Sequence, residues 1–194
     1  METGEVDLLS LYLRFSSEAA TIINKALSAA SEQVERAFSD DAPGREELGR
    51  VNDLQLFLMQ VIAFDGFITR CMHAVGLERK TRCGLVKRVD LLASEDLRKE
   101  PRYEALRSAI EEIVRVRNAW AHRLCEEETS DDVCVLADRF GLVRRDGYLW
   151  ITLEHISADG GKVWGFLVCT LHEMAKLIWP CVKARTARTP HGEV

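Results

Sequence analysis

Proline and glycine are both scarce in this chain of 194 residues, which contains four prolines and twelve glycines. Because these residues break or end helices, their scarcity predicts a helix-rich protein. The length fits about one domain, given a usual ~100–200 residues per domain. Hydrophobic residues at 47% and charged residues at 29% are ordinary for a soluble globular protein and exclude disordered and collagen-like chains.

Targeting and membrane signals are also missing. No apolar run reaches the ~20 residues needed to cross a bilayer, and the N-terminal METGEVDLLS lacks the features of a secretory signal. The six cysteines form no CxxC pair and no Cys/His set with zinc spacing. We therefore expect a cytoplasmic protein with reduced thiols, no membrane partner and no metal or other cofactor. A secreted disulfide framework is the alternative for the cysteines.

Motifs for phosphate cradles and hydrolase nucleophiles are absent, because the sequence has no GxxxxGK(S/T), GxGxxG or GxSxG. His172-Glu173 begins like the HExxH of zinc peptidases, but Lys176 stands where the second ligand would be. The net charge of −5 argues against a protein that coats nucleic acid with one large basic face. A local basic groove remains compatible with the 26 Lys and Arg.

Apolar residues recur at steps of three and four through most of the first 125 residues, which predicts a helical bundle. Pro43-Gly44 indicates a turn, and Gly76 is a candidate C-cap for the second, most apolar helix. A basic run precedes the third helix, which should bury Leu85, Val89 and Leu92. The predicted helices cover 6–38, 46–76, 82–93 and 102–125.

The pattern changes after the acidic run that ends the fourth helix. Residues 133–143 and 148–156 carry β-branched and aromatic residues, and a turn at 157–161 precedes KVWGFLV. Thr170-Leu-His-Glu173 fits a capping box that opens a closing helix to about Lys183, with His172 exposed in its first turn. We thus predict a mainly α single domain made of a helical bundle (1–127), a small β-hairpin appendage with the closing helix (128–185) and a tail (186–194).

Two charged residues occupy otherwise apolar helix faces. Arg117 lies between Ile113 and Trp120 on the fourth helix, and Asp65 lies in the apolar stripe of the second. A guanidinium inside a core costs several kcal/mol unless it is paired and hydrogen-bonded. We therefore expect Asp65 to contact Arg117. A buried ion pair that only fixes helix register would explain both residues equally well.

The neighbours of Arg117 suggest a function beyond packing. Asn118 and His122 are four residues apart and share a helix face. Arg117 and His122 are five apart and diverge by about 140° in a regular helix. A single helix therefore cannot direct Arg117 and His122 to the same site. Two copies of the helix about a two-fold axis could place two arginines and two histidines around one cleft.

The segment Val-Arg-Asn-Ala-Trp-Ala-His at 116–122 resembles the signature of the HEPN superfamily, the "higher eukaryotes and prokaryotes nucleotide-binding" domains. That signature is an Arg, a polar residue, and a His after a gap of four to six residues, on a late helix of a four- or five-helix bundle. Residues 1–125 look like this layout, with Asp65 on the apolar second helix in the matching role. The resemblance extends through 130–194 only as one closing helix.

The resemblance implies metal-independent RNA cleavage by a homodimer, as a toxin or phage-defence component. His122 suits general acid–base catalysis, because imidazole titrates near neutral pH. Arg117 suits the phosphate oxygens of the transition state, Asn118 would orient His122 or donate to phosphate, and Asp65 would position Arg117. A local positive field for RNA would come from Lys87, Arg88, Arg115 and Arg123.

One departure narrows the resemblance. HEPN toxins paired with a nucleotidyltransferase antitoxin carry a Tyr two residues after the His, and here Leu124 occupies that place. The segment also looks similar to the mannitol-operon regulator family, and some HEPN members are non-catalytic. Three interpretations therefore stay open: a ribonuclease with an antitoxin or regulatory partner, a non-catalytic RNA-binding, regulatory or scaffolding protein, and a bundle in which these residues serve only the fold.

Overall fold

A computed structural model of the chain describes residues 7–37, 42–122, 144–145, 148–149 and 162–188. The described part is mainly α, which confirms the predicted fold class at that level. Its helices, with one short 3₁₀ turn at Glu78–Lys80, are α1 (Leu8–Ala37), α2 (Ala42–Ala74), α3 (Leu85–Leu92), α4 (Glu95–Arg98), α5 (Pro101–His122) and α6 (Lys162–Thr186).

Helices α1 and α2 form an antiparallel pair. Tyr12 of α1 stacks on Phe67 of α2 with ring centroids 4.9 Å apart and also contacts Phe64 at 5.9 Å. One turn further along α1, the Ser16 hydroxyl lies 2.5 Å from Gln60 Oε1, which is earlier in α2. Residue numbers thus rise along α1 as they fall along α2, and the residues that make these contacts are buried.

Helix α2 ends in a Schellman motif. Gly76 has φ of +72°, a conformation that glycine adopts without strain. Its N–H donates to His73 O at 3.0 Å, and Leu77 N–H donates to Met72 O at 2.8 Å. The predicted C-cap is confirmed. The start of α2 differs from the prediction, since the helix begins at Ala42 and includes Pro43 in its first turn, where proline needs no hydrogen bond.

Helices α3 to α5 wrap one side of this pair. The predicted short helix is confirmed as α3, which buries Leu85, Val89 and Leu92. Asp90 of α3 accepts hydrogen bonds from the Tyr103 hydroxyl at 2.8 Å and from Arg107 Nε at 3.0 Å, both on α5. These contacts fix the first half of α5 against α3.

The closing helix is longer than the sequence pattern indicates. Helix α6 begins at Lys162, so KVWGFLV is helical and Thr170 is a buried residue of the helix interior, not a cap. This start corrects the predicted capping box. The helix packs on α2 and α5, and this packing explains why the segment is helical, because only a helix places all of its spaced apolar residues against them. The buried residues are Leu167, Leu171, Met174, Ile178 and Val182.

The appendage is described only in part. Arg144–Arg145 and Tyr148–Leu149 pair as two antiparallel two-residue strands, with Arg144 opposite Leu149. The predicted strand at 133–143 and most of the one at 148–156 lie outside the described residues. The hairpin appendage of the predicted length therefore stays a prediction.

In the described ranges, one helical stretch, Gly165–Thr186, is long and apolar enough to cross a membrane by length and composition. Core helices of soluble proteins share these properties, and Leu171, Met174 and Ile178 of this stretch are fully buried in the bundle. We therefore assign α6 to the core, and the cytoplasmic location stays a prediction.

Candidate functional site

The HEPN-like motif lies on the last two turns of α5. The inward row of this helix is buried through Tyr103, Ile110, Ile113 and Val116. Arg117 follows directly after this row and is half-buried, while Asn118 is exposed. The arginine therefore stands at the edge of the core, with its end group within reach of solvent.

Asn118 holds the guanidinium of Arg117. Arg117 Nε and Nη2 both donate to Asn118 Oδ1, at 3.1 and 2.8 Å. The two Nη1 hydrogens and one on Nη2 remain for another acceptor. Within the described part of the chain, no carboxylate contacts this arginine.

His122 is the last residue of α5. Its side chain and that of Trp120 lie outside the description, so the predicted approach of two arginines and two histidines across a two-fold axis stays a prediction. Of the residues expected to add a positive field, Lys87 and Arg115 are exposed and Arg123 lies outside the described residues.

Asp65 has a different partner from the one predicted. Its carboxylate accepts a hydrogen bond from Arg88 Nη2, and Arg88 Nη1 donates to Thr69 Oγ1 at 2.7 Å. Helix α3 packs beside the C-terminal half of α2 and places Arg88 next to this carboxylate. The expected Asp65–Arg117 pair is therefore corrected to Asp65–Arg88.

This pairing also corrects the role expected of Arg88. The sequence predicts that Arg88 adds to a positive field for RNA, but the residue is only 8% exposed. Its position on the buried row of α3, one turn after Leu85, explains why it points inward. A guanidinium occupied by Asp65 and Thr69 is not available to an external phosphate.

A second polar cluster, which the sequence analysis missed, joins α1, α2 and α6. Gln60 Nε2 donates to Ser16 O at 3.1 Å, so Gln60 Oε1 accepts the hydrogen bond from the Ser16 hydroxyl. The Ser16 oxygen then accepts from His172 Nε2, 2.9 Å away, and the hydrogen-bond network assigns the proton to Nε2. His172 acts as a donor here, so it does not activate Ser16 as a nucleophile.

His172 is thus half-buried, which corrects the prediction that it is exposed. Burial lowers the pKa of His172, and the nearby Lys176 charge lowers it further while Glu173 opposes the shift. The imidazole also packs edge-on against the Tyr12 ring at 5.5 Å. The sequence did contain a sign of this cluster. Ser16 is four residues after Tyr12, and Gln60 is four residues before Phe64, so both polar residues occupy positions in apolar helix stripes.

Metal chemistry has no support in the described ranges, where no group of three or more His, Cys, Asp or Glu side chains could hold an ion. The described cysteines, Cys71, Cys83, Cys169 and Cys181, are free thiols. Burial raises the pKa of the Cys71 thiol to about 12, so it is unreactive at neutral pH.

Comparisons of the chain with protein-family models, curated proteins and solved structures give no match. The likeness to HEPN domains therefore depends on the motif and on its position in a helical bundle.

Proposed function

We propose that the chain is a metal-independent endoribonuclease of HEPN type that acts as a homodimer. The observation that carries the proposal is the Arg117–Asn118 pair. A half-buried guanidinium is held by a neutral amide, keeps free donors and meets no described carboxylate. Such a group is suited to an external anion such as a phosphodiester. The fold proposed with this function is a HEPN-like bundle carrying the C-terminal hairpin appendage.

RNA supplies its own nucleophile. The 2′-oxygen attacks the phosphorus, the 5′-oxygen leaves, and a proton passes from the 2′-hydroxyl to the leaving oxygen. His122 is suited to this proton transfer because its ordinary pKa lies close to neutral pH. Arg117 would stabilise the charge that develops on the non-bridging oxygens, using the donors that Asn118 leaves free. Asn118 therefore acts in this scheme by orienting Arg117.

The direct test is RNA cleavage in EDTA by purified wild-type protein and by His122→Ala. Wild type should cut single-stranded RNA, and His122→Ala should lose this activity while keeping the wild-type circular dichroism spectrum. His73→Ala is the matched control, because His73 is exposed near the end of α2; it should cleave like wild type.

Light scattering in solution tests the shared site separately. A dimer is expected, and a monomer that still cleaves RNA would contradict the two-fold site. If wild type leaves varied RNA substrates intact, the nuclease proposal fails. The protein would then fit a non-catalytic RNA-binding, regulatory or scaffolding function, for which retained RNA binding is the sign.

A further inference from the structure

One end of the bundle carries a concentration of exposed cations that the net charge of −5 conceals. Trp179 of α6 contacts Phe67 of α2 at 6.3 Å, and the Ser16 contacts place His172 beside Gln60. Helices α2 and α6 therefore run in the same direction and end together. We call the exposed cations around these two C-termini the basic end: Arg70, Arg79, Lys80, Arg82, Lys183 and Arg188.

Acidic residues are few in the same segments. Residues 66–88 contain one acid, Glu78, and residues 174–188 contain none. Asp7 at the start of α1 is the other acid on this side: hydrogen bonding from Ser10 lowers its pKa most, and the Lys183 charge lowers it slightly further. The neighbouring α4 is mixed and self-paired, with Lys99 3.8 Å from both Glu95 and Asp96.

Helix capping alone does not account for these cations. A helix C-terminus carries roughly half a negative charge, so two of them attract about one cation in total. Glu78 and Asp7 offset two more. Counted over the described residues alone, three of the six cations thus remain in excess. None of the six forms an ion pair with a carboxylate in the ranges that the structure describes, so their charge faces solvent.

The composition of the basic end favours RNA over a membrane surface. Surface-bound membrane proteins usually add apolar or aromatic anchors to their basic residues. The large exposed hydrophobic residues of the described part lie outside these segments, at Leu11, Phe15, Ile22 and Ile62. Segments 66–88 and 174–188 thus carry exposed cations and, among their described residues, no large exposed hydrophobic side chain, which suits a phosphate backbone bound chiefly by charge.

We propose that the basic end binds the phosphate backbone of single-stranded RNA and holds it on the protein independently of cleavage. This inference rests on the proposed function, whose substrate it captures. It also differs from the sequence-based expectation, since it brings Lys183 and Arg188 of α6 together with the 79–82 segment and leaves out the buried Arg88.

The test measures RNA binding in a cleavage-deficient His122→Ala background, in EDTA, by fluorescence anisotropy of a labelled uridine oligomer. One variant replaces Arg79, Lys80 and Arg82 with Gln. The matched control replaces Lys25, Arg98 and Lys99 with Gln as well; these three residues are exposed and lie outside the basic end. Both variants lose three positive charges, so a difference between them reports position and not net charge. Circular dichroism checks that both fold.

The basic-end variant should bind roughly tenfold more weakly, and the slope of log affinity against log salt should fall by about two, as expected for three lost contacts to single-stranded phosphate. The control should stay close to the background protein. Equal losses in both variants would overturn the proposal, as would binding to phosphatidylserine vesicles without binding to RNA. Because binding is read without cleavage, a protein that binds here but never cuts RNA would refute only the nuclease proposal.

Discussion

Arg88 and Arg117 show two outcomes for an arginine placed beside apolar residues. Arg88 is buried and donates to Asp65 and Thr69. Arg117 is half-buried and donates to Asn118 alone within the described structure. The Arg88 guanidinium has a structural role only, because the Asp65 carboxylate neutralises its charge. The Arg117 guanidinium meets no carboxylate among the described residues and keeps part of its donors, so it is the one suited to an external ligand.

The difference between these sites lies in the partner and not in the hydrophobic pattern. A carboxylate makes a strong pair with Arg but leaves little attraction for a second anion. An amide oxygen such as Asn118 Oδ1 orients the guanidinium group and does not neutralise its positive charge. Removing a residue should therefore affect stability at the Arg88 site and activity at the Arg117 site.

The largest effect is expected from Arg117→Ala, on activity. Loss of one donor to developing negative charge typically costs about 10²–10³-fold in rate, or roughly 3–4 kcal/mol. Single-turnover cleavage of labelled RNA measures this loss, and the free energy of unfolding should change by less than about 0.5 kcal/mol. Arg98→Ala, at an exposed site on α4, is the matched control and should leave the rate unchanged. If Arg117→Ala lost as much free energy of unfolding as it lost in transition-state stabilisation, Arg117 would be a structural residue like Arg88.

Asp65→Leu should have the next largest effect, on stability. It leaves the Arg88 guanidinium buried without its carboxylate. We expect a loss of roughly 2–3 kcal/mol in urea unfolding, below the range for a fully buried pair because the Asp65 side chain is 35% exposed. The double variant Asp65→Leu with Arg88→Met should recover most of this loss. Unfolding curves that coincide for wild type and Asp65→Leu would show that the pair contributes nothing.

Local features were predictable from the sequence, and long-range partners were not. The Gly76 cap and the buried row of α3 depend on residues a few positions apart, and both predictions are confirmed. KVWGFLV contains β-branched and aromatic residues typical of a strand, but packing on α2 and α5 makes it helical. This is a case of tertiary contacts overriding local preference.

The polar sites show the same limit. Inward-facing charges on two helices indicated that Asp65 needs a partner, but the pattern does not specify which helix packs beside it. Arg88 stood among the cations expected to face RNA, and nothing in its local spacing marks it as the partner of Asp65. His172 contacts Ser16 across 156 residues of sequence, and no local spacing indicates that contact. For the motif itself, the sequence located Arg117 and Asn118, and their mutual hydrogen bonds came from the structure.

The smallest expected effect concerns His172, which shares with Arg88 the property of being held inside the fold. Burial lowers its pKa in the folded state, whereas an unfolded histidine titrates near 6.5. The unfolded chain therefore takes up a proton first as the pH falls. The contribution to stability is complete above about pH 6.5 and is lost as the pH drops from there through the folded-state pKa. One proton limits the slope to about 1.4 kcal/mol per pH unit.

His172→Gln tests this dependence, because a glutamine amide can still donate to Ser16 but does not titrate. Urea unfolding at several pH values below 7 should show a smaller loss of stability on acidification for His172→Gln than for wild type. His73→Gln, at an exposed position on α2, should follow wild type. Among the described residues, the groups that act on His172 are Ser16, Tyr12, Glu173 and Lys176, and none of them is changed in either variant. If His172→Gln and wild type lose stability in parallel, His172 is no more constrained by the fold than a surface histidine, and the contrast between buried and available polar groups would then rest on the arginines alone.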